Sequence, residues 1–188
     1  MENKRTIPQE IENKIKDILV YLGENPGREG LIDTPKRVIK SWDKLYCGYN
    51  QNSSDILKAT FTEGTCNEMV ILKDIEFYST CEHHMLPFFG KISIGYIPNK
   101  KVVGVSKLAR LVELYARRMQ IQERMTTQIA DDIIKILNAK GCMVLAEAQH
   151  FCMTSRGVEK QKSKMITSAI RGVFENIEAR NEFLNIIK

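Results

Sequence analysis

Cys81 and His84 stand in C-x-x-H spacing, a separation at which a thiolate and an imidazole reach one tetrahedral ion. His150 and Cys152 form a second cluster. They sit in a segment that reads as a strand, where residues two apart point to the same side. The chain's three histidines, His83, His84 and His150, all fall in these two clusters, and two of its five cysteines join them. Cys81, His84 and Cys152 together make three donors. A structural zinc site takes four protein ligands; a catalytic one takes three and keeps a position open for water, whose pKa falls to about 7. His83 and His150 are then left for proton transfer beside the ion. Cys47, Cys66 and Cys142 have no C-x-x-C partner and read as small hydrophobes. The same residue types also suit buried cysteines and hydrogen-bonded core histidines. A lone C-x-x-H recurs by chance, so spacing alone leaves both readings open.

The charge is uneven. The 188 residues carry a net +5, yet the basic side chains concentrate in two stretches, 100–124 and 156–164, on an otherwise acidic background. Such stretches suit an anionic partner, and equally a solvated face. No RNP, zinc-finger or basic-zipper pattern accompanies them, so nucleic acid is not expected. The longest purely apolar run, Ile18–Leu22, is too short to cross a bilayer, and MENKRTIPQEIENK lacks a signal-peptide core. A soluble cytoplasmic protein with no membrane partner is the expectation. At 43% hydrophobic residues the chain can bury a full core without disulfides, and an odd cysteine count fits a reducing compartment.

The elements that must position the clusters follow from periodicity. Thr6-Ile7-Pro8-Gln9 resembles a capping box ahead of a helix with Ile11, Ile15, Ile18 and Leu22 on one face. Thr34-Pro35 opens a second helix carrying Val38, Ile39, Trp42 and Leu45. Residues 24–33 and 49–55 read as loops. From Met69 the period changes: 69–80 and 91–97 read as strands, 98–101 as a turn and 102–105 as a short return strand. Ser106 is a plausible N-cap for a helix bearing Leu108, Leu111, Val112 and Tyr115. A second helix runs from about Gln122 to Asn138, with Gly141 ending it. Residues 142–152 and 163–174 read as strands, and 179–187 as a closing helix. The order predicts an α+β fold with an antiparallel sheet. It divides into an N-terminal helical segment, 1–68, and a catalytic region, 69–188, forming one functional domain.

The run Phe77-Tyr78-Ser79-Thr80-Cys81-Glu82-His83-His84 resembles the GTP cyclohydrolase I family. Further words agree, in the family's order. Arg28-Glu29-Gly30-Leu31 and Asp33-Thr34-Pro35-Lys36-Arg37-Val38 resemble its N-terminal segment. Gly104-Val105-Ser106-Lys107-Leu108-Ala109-Arg110 resembles its phosphate-binding segment, and Gln120-Ile121-Gln122-Glu123-Arg124 its guanine-binding segment. His150-Phe151-Cys152-Met153 with Arg156-Gly157 resembles its second metal cluster. One position departs: Met165 stands where relatives usually carry threonine.

The resemblance implies the tunnelling fold, a four-stranded antiparallel sheet with two helices between its strand pairs, here preceded by N-terminal helices. It implies a homodecamer with sites at subunit boundaries. It also implies one Zn2+ per subunit on Cys81, His84 and Cys152, and hydrolysis of GTP to formate and 7,8-dihydroneopterin triphosphate, the first step of folate and pterin synthesis. Water on zinc would attack guanine C8; ring opening, deformylation and ribose rearrangement would follow. His150 would be the acid at N7 and His83 a proton carrier near the ribose. Glu123 would read guanine N1–H and the 2-amino group, with Gln122 beside it. Lys107, Arg110 and Arg156 would clamp the triphosphate, Ser106 would add a donor, and Arg37 would come from a neighbouring subunit. Arg117, Arg118 and Arg124 are assigned to subunit contacts or solvated surface. A same-fold alternative, a nitrile reductase acting on 7-cyano-7-deazaguanine, has no C-x-x-H metal pair; a non-catalytic zinc-binding nucleotide module is the other alternative. If Glu123 reads guanine, Glu123→Gln weakens GTP recognition while zinc content stays at the wild-type level. Unchanged GTP turnover in that variant would remove the role.

Overall fold

The computed structural model describes residues 8–188, so Thr6 of the expected capping box lies outside the described residues. Two compact units divide between Tyr46 and Cys47. The first holds two helices, α1 (Gln9–Tyr21) and α2 (Thr34–Leu45). Pro8 precedes α1 without any side-chain cap, and Pro35 sits in the first turn of α2, where a missing N–H costs nothing. Much of the apolar stripe of α1 is uncovered: Ile18 is 51% and Leu22 67% exposed.

The second unit begins earlier than the 68/69 boundary expected from the sequence. Residues 53–55, the end of an expected loop, instead begin a short helix, α3 (Ser53–Leu57), capped by the Asn52 side chain accepting from Ser54 N–H. Leu57 is fully buried in the core, which ties this short helix to the sheet and helices of the second unit. Strand β1 (Thr60–Phe61) pairs with β4 (Val102–Val103) in a separate two-stranded sheet. The expected return strand therefore does not fold back on its neighbour in sequence.

The main sheet is built from β2 (Val70–Cys81), β3 (Pro87–Ile97), β6 (Gly141–His150) and β7 (Met165–Gly172), all antiparallel in the order β2-β3-β6-β7. A two-residue strand, β5 (Met119–Gln120), adds in parallel beyond the end of β2. Between the strand pairs run α4 (Val105–Ala116) and α5 (Gln122–Leu137), whose apolar stripes, Leu108, Leu111 and Val112 with Met125, Ile129 and Ile133, are buried against one face of the sheet. Asn138, in the left-handed conformation, ends α5 three residues before the expected glycine. On the other face, α7 (Ile177–Ile187) packs Phe183 edge-on against Phe174, with Met143 beneath. This α+β architecture is the one expected. Among the described residues no helix is long and apolar enough to cross a membrane.

Two details set which side chains face the helices. The β2–β3 register shifts between Leu72 and Ile75, and Asp74 takes φ 60° there. Gly90 of β3 lies so close to β6 that an added Cβ would fall 1.9 Å from the Glu147 carbonyl oxygen. No side chain fits without parting the ladder. Gly90→Ala is expected to cost about 3 kcal/mol or to prevent folding. Chemical denaturation checks this, and a loss below about 0.5 kcal/mol would show that the strands part cheaply.

Candidate active site

The sheet register brings both sequence clusters to one end. β2 stops at Cys81, and a tight turn comes next. Cys81 N–H donates to Leu86 O at 2.8 Å and Met85 N–H to Cys81 O at 2.9 Å, with Met85 at φ 53°. The turn folds His83 and His84 back over Cys81, placing their Nδ1 atoms 3.9 Å and 3.8 Å from its Sγ. Antiparallel β6 ends at His150 beside Phe88 at the start of β3. The expected strand through residue 152 does not continue: Phe151–Thr154 form one helical turn, α6. Cys152 therefore reaches the site from a helix and not by strand alternation with His150.

Cys81, His84 and Cys152 bring their donor atoms within 4.8 Å of one another. Burial, followed by the neighbouring Cys81, pushes the Cys152 thiol up. A thiol so placed resists ionising unless a cation joins it. Two sulfurs and one nitrogen at this separation suit a tetrahedral zinc ion, whose donors stand roughly 3.3–3.8 Å apart, and leave its fourth position open. The residues present fit the metal.

Beside this cluster lies a cavity of about 330 Å³, lined among others by Cys81, His83, Gln122, Glu123, His150 and Cys152. The His150 ring lies parallel on Phe88, centroids 4.5 Å apart and planes 6° apart. Burial lowers its basicity, and the Glu123 carboxylate partly offsets this. Gln122, 1% exposed, meets His150 Nε2 through Oε1 at 2.8 Å. Glu123, the next residue in the first turn of α5, is exposed at the cavity wall. A carboxylate, two imidazoles and two of the three candidate donors, Cys81 and Cys152, thus line one concave space, with His84 beside Cys81. That combination can hold a purine edge, move protons and polarise water.

Arg124 has a role the charge pattern did not reveal. Its guanidinium pairs with Glu82 in the turn between Cys81 and His84 and holds that carboxyl below the usual range. Its Nε also donates to Gln120 Oε1 at 3.0 Å, while Glu82 N–H donates to Gln120 O at 3.0 Å. The turn is thereby tied to the start of α5. Arg117 pairs with Glu113, and Arg118 donates to Gly48 O at 2.9 Å, so these two also have partners inside the fold. Glu82, Phe88, Thr126, Thr167 and Lys164, which lines the cavity while pairing with Glu147 at 2.6 Å, were not singled out in the sequence. Only Glu82 carried a signal, standing inside the C-x-x-H word.

The expected phosphate groups lie outside the lining of this cavity. Ser106 is not the N-cap: Gly104 is, and Ser106 sits exposed in the first turn of α4, with Lys107 and Arg110 on the same helix. Arg156 is exposed just after α6, close enough for its charge to act on Cys152. Arg37, on α2 of the first unit, pairs with Asp33 at 3.3 Å.

Comparison with known proteins places these residues in context. The GTP cyclohydrolase I family matches residues 11–188. GTP cyclohydrolase 1 of Wolinella succinogenes is 60% identical over 189 residues, covering 100% of both chains. The enzyme of that name from Clostridium kluyveri is 52% identical, covering 94% of this chain and 98% of its own, and that of Helicobacter pylori 48%, covering 95% and 99%. Among solved structures, the archaeosine synthase QueF-Like in the apo form superposes with a TM-score of 0.44 at 18% identity, over 55% of this chain and 93% of its own, too distant to argue from.

Replacing one sulfur by a poorer ligand tests the metal cluster. Cys152→Ser is expected to keep about a tenth or less of the wild-type zinc and to lose activity with it. Full zinc occupancy by metal analysis would count against this ligand set.

Proposed function

Because the chain belongs to the GTP cyclohydrolase I family of enzymes, we propose that its cavity hydrolyses GTP to formate and 7,8-dihydroneopterin triphosphate, with zinc on Cys81, His84 and Cys152. The observation that carries this reading is the meeting of that donor cluster with His83, His150 and Glu123 around one cavity. When bound, zinc supplies Lewis acidity for activating water near neutral pH.

The chain's own residues account for the rest. C8 of guanine is a poor electrophile until N7 is protonated, and His150 is the acid for N7. Its stacking on Phe88 fixes the plane in which it can deliver a proton. Glu123 accepts from guanine N1–H and the 2-amino group together, a pair that adenine does not offer. Held there, the base presents its imidazole edge to the end of the sheet where the donors and His150 lie. Water adds at C8, the imidazole ring opens to a formamide, and a second water hydrolyses the formamide to formate and the free amine. His83 moves protons for ring opening and rearrangement of the ribose.

Lys164 lines the cavity but is paired with Glu147, so the triphosphate needs further cations. Lys107, Arg110 and Arg156, with the first-turn N–H groups of α4 near Ser106, are assigned to it. Because Lys107 and Arg110 do not line the cavity, they serve a cavity in an adjoining copy, and Arg37 does likewise. The sheet supports such assembly: β7 is an open edge, and β5 covers only Thr80 and Cys81 at the end of β2. Open edges pair with another strand unless protected. A ring of copies, two of which make a homodecamer, closes them.

Incubation of the zinc-loaded protein with GTP tests the reading. Formate release and a fluorescent pterin after oxidation are expected. GTP binding without formate would favour a nucleotide-binding module, and neither binding nor turnover would overturn the substrate.

A further inference from the structure

We propose that Gln122 is a positioning residue that fixes the proton of His150 on Nε2, leaving Nδ1 as the nitrogen that exchanges a proton with substrate. The role given to His150 rests on the reaction proposed above; the hydrogen-bond argument does not. It replaces the direct substrate contact expected of the Gln122 side chain.

The direction of each hydrogen bond follows from backbone carbonyls, which only accept. Gln122 Nε2 lies 3.1 Å from Ala146 O and 3.0 Å from Met165 O. That end of the side chain must therefore be the NH2, whichever way the amide is drawn. Oε1 then faces His150 Nε2 at 2.8 Å, and an amide oxygen cannot donate, so the ring nitrogen carries the hydrogen.

The surroundings hold this polarity. Thr126 Oγ1 donates its one hydrogen to the Gln122 backbone oxygen at 2.7 Å. In its 2.7 Å contact with Thr167 Oγ1 it can then only accept. Thr167, having donated to Thr126, presents lone pairs to Gln122 Nε2 at 3.2 Å. Thr126 and Gln122 are each 1% exposed, so water cannot supply a substitute partner cheaply. Reversing one bond would set a donor against a donor or an acceptor against an acceptor in a buried place. Phe88, stacked on the ring, resists its rotation out of this alignment. Among the described residues Nδ1 has no hydrogen-bond partner, so it is the nitrogen left for the cavity.

Two measurements test this. The first uses zinc-loaded wild-type protein with 15N-labelled histidine, the His150 signals being assigned by their loss in His150→Gln. Magic-angle-spinning NMR at a pH where the ring is neutral should show hydrogen on Nε2; hydrogen on Nδ1 would overturn the proposal. The second is Gln122→Leu. A positioning role predicts a kcat for formate release about 100-fold lower, KM for GTP within about threefold, and wild-type zinc content. A raised KM with unchanged kcat would mean that the side chain binds substrate, and would also overturn the proposal. If Gln122→Leu does not fold, the tautomer in the wild-type protein still decides. If the wild-type protein releases no formate from GTP, the proposed reaction fails while the tautomer remains a separate result.

Discussion

The register of β3 is the constraint on which the site depends. Phe88 is the cross-strand partner of Ser79 on β2 and of His150 on β6. Those two neighbours lie far apart in sequence, and only this pairing sets their spacing. Cys81 lies two residues beyond Ser79 on the same face, so the pairing also places Cys81 relative to His150. The core beneath enforces it. Phe88, Ile92, Ile94 and Tyr96 are all essentially fully buried, and a slip by one residue would send every one of them to the opposite face.

Three chain segments then converge without any of them being long. The turn after β2 carries Cys81 and His84, the end of β6 with α6 carries His150 and Cys152, and the first turn of α5 carries Gln122 and Glu123. Each is anchored by backbone hydrogen bonds or by a buried polar contact, and the Glu82–Arg124 pair joins the first to the third. Much of the positive charge near residues 117–124 is engaged in this way inside the fold. Other basic side chains stand at the start of α4 and after α6, outside the lining of the cavity that holds Glu123.

The sequence made the elements of the sheet and its two covering helices legible, because apolar spacing reports a buried face directly. Leu108, Leu111 and Val112, and Met125, Ile129 and Ile133, are buried as their periodicity requires. It made the metal cluster legible as well, since cysteine and histidine are few and gather in two words. Pairing was harder. Val102–Val103 join β1 because Thr60–Phe61 offer a partner that no local pattern announces. The turn at Phe151–Thr154 hid behind a run that alternates well enough for a strand. Gln122 and Arg124 carry polar side chains on an amphipathic helix, where solvent contact is the simplest reading. Their partners lie 24 to 45 residues away for Gln122 and 42 for Arg124, at a distance where composition is silent.

The irregularity in β2 reaches further than its own neighbourhood. Before it, even-numbered residues face the core: Val70 and Leu72 pack there opposite Tyr96 and Ile94. After it, odd-numbered residues do: Ile75, Phe77 and Cys81. The strand changes parity once, at Lys73-Asp74, and Cys81 inherits the result. From Leu72 to Ile75 the strand takes three steps against two on β3, from Ile94 to Ile92, so the shift absorbs one extra residue; deleting it would restore plain alternation and keep both apolar halves, and Cys81, on the core face. The placement of Cys81 therefore survives loss of the extra residue, whereas one residue added or removed in the regular stretch between Ile75 and Cys81 would turn its side chain to the opposite face.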